Sequence, residues 1–264
     1  MKITRAVVPS LFTVLNMFCG FLSIVQSSDG RFESASYFII LAGVFDSLDG
    51  FMARLTKTSS QFGVEIDSLS DVVSFGAAPA FMAYKIHLIQ WEGYGLLISS
   101  LLLLLGGIRL ARFNVQLVGF DKDHFTGLPI PASAIAVIAY VLTFGHPSFN
   151  AGEAGRLVLS GAAAQWFAPM IVVVSLLMVS TVKYDTLPKF SKRDMKKHPV
   201  KIGAFAAAAV ITIVSKGAML FYLFMAFIAY GIIRYCVLFI RRMAGPEEAG
   251  EEQEEAEEAT GFDL

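Results

Sequence analysis

Only two cysteines, Cys19 and Cys236, and four histidines, His87, His124, His146 and His198, occur in the 264 residues, and none has a neighbour at metal-ligand spacing. That scarcity argues against a zinc site or a disulfide framework and leaves both cysteines as buried thiols inside apolar helices. No histidine is assigned to catalysis. A small-residue cleavage site is also missing after the first apolar run. That run follows a basic start but is long and contains Pro9 and Asn16, so it reads as a retained helix rather than a signal peptide. Basic residues are absent from positions 247–258, where eight glutamates follow Gly245 and Pro246. Such a run cannot bury enough apolar surface to fold and reads as a solvated tail. The formal net charge of −1 therefore conceals a split between an acidic tail, 245–264, and the rest of the chain, 1–244. No nucleic-acid partner is expected.

What the chain has in quantity is hydrophobic residues, 55% of the total, gathered in long runs instead of the short periodic faces of a soluble domain. A membrane span needs about 20 apolar residues. By that measure the sequence predicts an all-α, polytopic membrane bundle of about eight spans, at 8–26, 34–53, 68–89, 94–113, 129–145, 166–183, 200–215 and 218–240. Pro131 opens the fifth, and Lys216 with Gly217 ends the seventh. With both termini on one side, only Arg31, Lys85, Arg156 and Lys216 of the 21 lysines and arginines fall on the other. The side of the termini is therefore expected to be cytoplasmic.

Inside this apolar sequence sit Asp46, Asp49, Asp67 and Asp71. Each intramembrane carboxylate costs about 2.5 to 3.5 kcal/mol on insertion scales, so four of them call for a compensating cation and a role. Asp46, Asp49, Gly50, Ala53 and Arg54 follow i, i+3, i+4, i+7, i+8 and share one helix face; Asp67 and Asp71 are i, i+4 partners with Gly63 one turn earlier. Two such stripes meeting across a groove would present carboxylates, a guanidinium and bare backbone. Hard cations such as magnesium or manganese prefer carboxylate oxygen and bind well beside phosphate, and a pair of them can clamp a phosphoryl group. Glycine at 50 and 63 lets a nucleotide or pyrophosphate lie against a helix, and Ala53 keeps that surface shallow. Arg54 can bond phosphate oxygens in bidentate fashion. A carboxylate not fully committed to metal, with Asp71 the favoured one, could accept a proton from an attacking hydroxyl. Taken singly, each aspartate could instead pair with an arginine, and each glycine could serve close helix packing. The joint spacing is what argues for chemistry.

The pattern D-x-x-D-G-x-x-A-R, eight residues, G-x-x-x-D-x-x-x-D resembles the signature of the CDP-alcohol phosphotransferase family at every fixed position. The resemblance implies a membrane enzyme with a six-helix core, a homodimer, that displaces CMP from a CDP-linked lipid or alcohol. By the same analogy Asp46, Asp49, Asp67 and Asp71 hold two Mg2+ or Mn2+ ions, and Asp71 is also the base. Gly50, Ala53 and Gly63 border the cytidine, and Arg54 contacts the diphosphate. The flanks PSLFTVLNMFCG (9–20), EIDSLSDVVSFGAAPA (65–80), RLARFN (109–114), GLPIPASA (127–134) and MVSTVKY (178–184) resemble the bacterial and archaeal branch that uses CDP-diacylglycerol and serine. That branch would place the protein in a prokaryotic inner membrane, among its lipids.

These flanks also have plain physical readings. Asn16 could bond substrate or a neighbouring helix. Arg109 and Arg112, on one helix edge, could hold a serine carboxylate or lipid phosphate, or snorkel to the interface. The prolines of GLPIPASA could wall the acceptor site or shape the loop, and the basic positions 189–201 read as a cytoplasmic loop meeting anionic lipid. The same family pattern would also accommodate glycerol phosphate, inositol or inositol phosphate as acceptor. A divalent-cation transporter would explain intramembrane carboxylates but gives no reason for Gly50, Ala53, Arg54 and Gly63. A scaffold anchoring the acidic tail leaves the aspartates unexplained.

Overall fold

Backbone polar groups in hydrocarbon must be satisfied within their own segment, and the apolar runs accordingly fold as helices. The computed structural model describes residues 7–56, 61–118, 127–148 and 156–182, together with helical positions between 221 and 237. In chain order the helices are α1 (Val7–Ser28), α2 (Phe32–Thr56), α3 (Gln61–Asp71), α4 (Ala78–Ile86), α5 (Glu92–Val118), α6 (Ile130–Phe144) and α7 (Gly161–Val179). A π-helical segment, Val72–Ala77, joins α3 to α4, and a 3-10 turn, Leu88–Trp91, leads into α5. Among the described residues, four stretches are long and apolar enough to cross a membrane: Leu11–Ser28, Phe32–Met52, Leu88–Val115 and Gly161–Val179; Ile130–Phe144 is shorter. The protein is an all-α integral membrane protein. The span expected at 200–215 and the acidic tail lie outside the described residues.

The span expected at 68–89 is not one uninterrupted α-helix. Its backbone passes from α-helix to π-helix immediately after Asp71 and back at Ala78. The sequence VVSFGA offers no proline or charge to mark the change; the extra residue per turn is accommodated by packing, since Ser74, Phe75 and Gly76 are all buried there. A second unpredicted feature is a short antiparallel pair, β1 (His146–Pro147) with β2 (Leu157–Val158), beyond α6. These strands are too short for an alternating pattern to show in the sequence.

Helix α1 is inverted relative to a soluble helix. Leu11, Val14, Phe18 and Phe21 face outward, whereas Thr13, Asn16, Ser23 and Ser27 are buried. Lipid tolerates the apolar face, and the polar groups turn inward, where Thr13 and Asn16 find carboxylate partners. α1 packs on α2 and also on α3 and the π segment, so it lies between the two aspartate-bearing helices. The α1–α2 turn closes with Arg31 N–H donating to the Gln26 carbonyl (2.9 Å) and Gly30 N–H to the Ser27 carbonyl (3.1 Å). Gly30, at φ +77°, supplies the left-handed residue that such a helix C-terminus requires.

At the end of the bundle that carries the aspartates, the entry to α6 is tied to the exit of α7. Gly127 N–H donates to Val182 (2.8 Å) and Leu128 N–H to Leu177 (2.9 Å). Gly127 has φ +84°, and a side chain there would collide with the Met178 carbonyl. The GLPIPASA segment thus shapes this junction and satisfies one carbonyl in the last turn of α7 and one just beyond it.

Candidate active site

Three carboxylates converge. One oxygen from each of Asp46 on α2 and Asp67 and Asp71 on α3 lies within 4.8 Å of the others. The i, i+4 spacing puts Asp67 and Asp71 on one face, and α1 holds α2 at the distance that lets Asp46 meet them. Asp46 and Asp67 are half-buried and Asp71 is buried, so the group opens on one side. Asp49, also buried, is close enough to Asp46 and Asp67 to feel their charge. Its carboxylate accepts the Thr13 hydroxyl across the α1–α2 interface.

Like charges 4.8 Å apart repel by about 3.5 kcal/mol at an effective dielectric of 20, so three of them are not a stable arrangement of bare ions. The donor set is oxygen only, without sulfur or imidazole, and it lies beside a fourth carboxylate. Such a set suits a hard divalent cation, and among the described residues it is the group that could hold one.

The surrounding polar groups are ordered by position. Asn16 Nδ2 donates to Asp71 Oδ1 at 3.4 Å. Asn16 thus bonds a neighbouring helix through its amide nitrogen, while its Oδ1 is buried without a hydrogen-bond partner. Arg109, read from the sequence as holding substrate or snorkelling to the interface, is buried at 8% exposure and lies in electrostatic reach of Asp71. Its side chain is thus packed inside the bundle and not extended along the protein surface. Its Nε is buried without a hydrogen-bond partner. Arg112, one turn further on, donates from Nη1 to the Val179 carbonyl at 3.2 Å, closing the end of α7. Asn114 Nδ2 donates to Ser68 Oγ at 2.9 Å, tying the end of α5 to the turn between Asp67 and Asp71.

Gly50 lies on α2 one residue beyond Asp49, and Gly63 lies on α3 one turn before Asp67; both are half-buried. Ala53 and Arg54 continue α2, but their side chains lie outside the described ones. Sequence reasoning missed Thr13, Ser70 and Ser74. Ser70 Oγ donates to the Thr13 carbonyl (3.0 Å) and Ser74 Oγ to the Asn16 carbonyl (2.9 Å). Single hydroxyls in apolar helices carry no spacing signal; the only available hint was that these lie within a turn of Asn16 and Asp71. Cys19 is a buried free thiol, and Cys236 lies outside the described residues. His87 and His146 sit away from the carboxylates, His87 against Trp91 and Phe167 and His146 beside Ser160.

Comparison with known proteins bears on this geometry directly. The family model for CDP-alcohol phosphatidyltransferase matches residues 6–177, a stretch that holds Asp46, Asp49, Asp67 and Asp71 as well as Asn16, Arg109 and Arg112. The chain is 35% identical over 234 residues to a CDP-diacylglycerol–serine O-phosphatidyltransferase of Helicobacter pylori, covering 88% of this chain and 92% of that protein. It is 34% identical over 224 residues to a protein of the same name from Methanocaldococcus jannaschii, covering 84% and 91%. It is also 39% identical over 186 residues to an archaetidylserine synthase of Methanothermobacter thermautotrophicus, covering 69% and 72%. With the match running through the helices that build the carboxylate group, this integral membrane chain belongs to the CDP-alcohol phosphatidyltransferase family of enzymes.

Proposed function

We propose that the enzyme transfers the phosphatidyl group of CDP-diacylglycerol to the hydroxyl of L-serine, giving phosphatidylserine and CMP. The observation that carries the reading is the convergence of Asp46, Asp67 and Asp71 beside a buried arginine, in a chain whose relatives are named for that reaction. Asp46, Asp49, Asp67 and Asp71 would hold two Mg2+ or Mn2+ ions, which when bound would draw charge from the diphosphate oxygens. Gly50, Ala53 and Gly63 would leave room for the cytidine, and Arg54 would grip the diphosphate.

Asp71 takes the proton from the serine hydroxyl as its oxygen forms a bond to the phosphorus that carries diacylglycerol. The bond from that phosphorus to the bridging oxygen breaks, and CMP departs with the electron pair. Asn16, on Asp71 Oδ1, keeps the carboxylate facing the open side of the group. Arg109 is the favoured anchor for the serine carboxylate, because it lies beside Asp71 and retains an unused buried donor. Arg112 contributes by holding the end of α7. Serine would enter from the cytoplasm, since the basic residues gather on the side of the termini, while the acyl chains stay in the inner leaflet of a prokaryotic cell membrane. The homodimer implied by the family pattern belongs to the same proposal.

The test is product identification. Purified enzyme, CDP-diacylglycerol, Mg2+ or Mn2+ and isotopically labelled serine should yield labelled phosphatidylserine by mass spectrometry. Label transfer from glycerol phosphate or inositol, with none from serine, would overturn the acceptor and keep the family.

A further inference from the structure

We propose that Thr13 and Asn16 are positioning residues for the carboxylate group, holding Asp49 and Asp71 from α1 while the opposite helix holds α1 at the same two residues. The inference rests on the reading that these carboxylates bind a divalent cation. Thr13 and Asn16 are three apart and lie on one face of α1, both essentially without solvent exposure. The Thr13 side chain donates to Asp49 Oδ2, and its carbonyl accepts from Ser70. The Asn16 side chain donates to Asp71 Oδ1, and its carbonyl accepts from Ser74. Two successive positions on one helix face thus carry the same two-way bond, outward from the side chain and inward to the backbone.

Ordinary helix packing does not require this arrangement. A serine in an apolar helix can satisfy itself on the carbonyl four residues back. Ser36 does so on Phe32 and Ser47 on Gly43, each at 2.8 Å. Ser70 and Ser74 cross to α1 instead, at the two residues whose side chains hold carboxylates. The π segment that begins at Val72 carries Ser74 into this position. With one oxygen of Asp49 and one of Asp71 engaged, each carboxylate has a fixed orientation and a remaining oxygen to offer. Partners of this kind around metal ligands typically matter by about 10- to 100-fold in metal affinity or activity.

The experiment uses the full chain purified in detergent micelles and the variants Thr13→Val, Thr13→Ser and Asn16→Leu. Mn2+ binding is followed without any lipid or acceptor, by the loss of the free-ion electron paramagnetic resonance signal. Steady-state CMP release and thermal unfolding are measured on the same preparations. Thr13→Val, which keeps shape but removes the donor, should weaken Mn2+ binding by about tenfold or more, and Thr13→Ser should restore most of it. Asn16→Leu should lower kcat by about tenfold or more with a smaller change in KM for the acceptor. Equal behaviour of Thr13→Val and Thr13→Ser would reduce Thr13 to a packing role and overturn the proposal. So would wild-type Mn2+ affinity in Thr13→Val. Absence of Mn2+ binding by the unsubstituted protein would instead remove the metal reading, and this inference with it. Failure of serine as acceptor alone would leave the Mn2+ comparison standing.

Discussion

Gly20→Ala is expected to damage this enzyme out of proportion to one methyl group. Gly20 is buried on α1 opposite the π segment, and a Cβ placed there meets the Ser74 hydroxyl and lies 2.7 Å from Ser74 Cα. Ordinary carbon contacts are about 3.5 to 4.0 Å, so the helices must separate by roughly 1 Å. The hydroxyl could rotate aside; the Cα belongs to the backbone and cannot. Overpacking of this kind typically costs about 1–3 kcal/mol. Against it stands a gain of about 0.5–1 kcal/mol from replacing glycine within a helix. Gly107→Ala on α5 isolates that gain, because nothing lies within 4 Å of its added Cβ. In one detergent, the Gly20 variant should therefore unfold about 1–3 kcal/mol more easily than the Gly107 variant, by thermal or denaturant titration. Separation also lengthens the 2.9 Å bond from Ser74 to the Asn16 carbonyl, so CMP release should fall in Gly20→Ala alone. Equal stability and equal turnover in the two variants would refute the close approach of α1 to the π segment.

Other outcomes follow from the same geometry. Chelation with EDTA should reduce CMP release to background, and Mg2+ or Mn2+ should restore it, as checked by a metal titration of the stripped enzyme. Arg109→Gln should lower kcat/KM for serine by about tenfold or more, and Arg109→Lys should recover only part of it, because an ammonium lacks the planar fork. Steady-state kinetics with serine varied would show this. Removal of residues 246–264 should leave CMP release within about twofold of the full chain, since an acidic run of this composition contributes no packed surface. Loss of activity on that deletion would favour the scaffold reading.

The helices and the aspartates were legible in the sequence for different reasons. α1, α2, α5, α6 and α7 follow apolar runs, and Asp29–Gly30 between α1 and α2 and Pro129 and Gly145 around α6 mark ends by composition alone. Asp46 with Asp49, and Asp67 with Asp71, were legible because each pair has a local spacing that its helix converts into a shared face; that the two stripes meet depends on the fold. Thr13 was not, because its partner Asp49 lies 36 residues away and a threonine in an apolar helix has no pattern of its own. Arg109 shows the limit most clearly. In the sequence it is a cation near a helix end, open to either a substrate role or the interface; in the fold it is buried within electrostatic reach of Asp71, which no local spacing shows. The π segment was hidden because a π turn is imposed by packing and VVSFGA reads equally well as α-helix.

The most direct test is CMP release from CDP-diacylglycerol by the purified protein, with serine, glycerol phosphate or inositol as acceptor, in the unsubstituted chain and in Asp71→Asn. Serine-dependent release that the variant lacks, while it still binds CDP-diacylglycerol, is the expected result. Undiminished serine-dependent release by Asp71→Asn would contradict the role given to that carboxylate, and absence of release with every acceptor would contradict the transfer reaction itself.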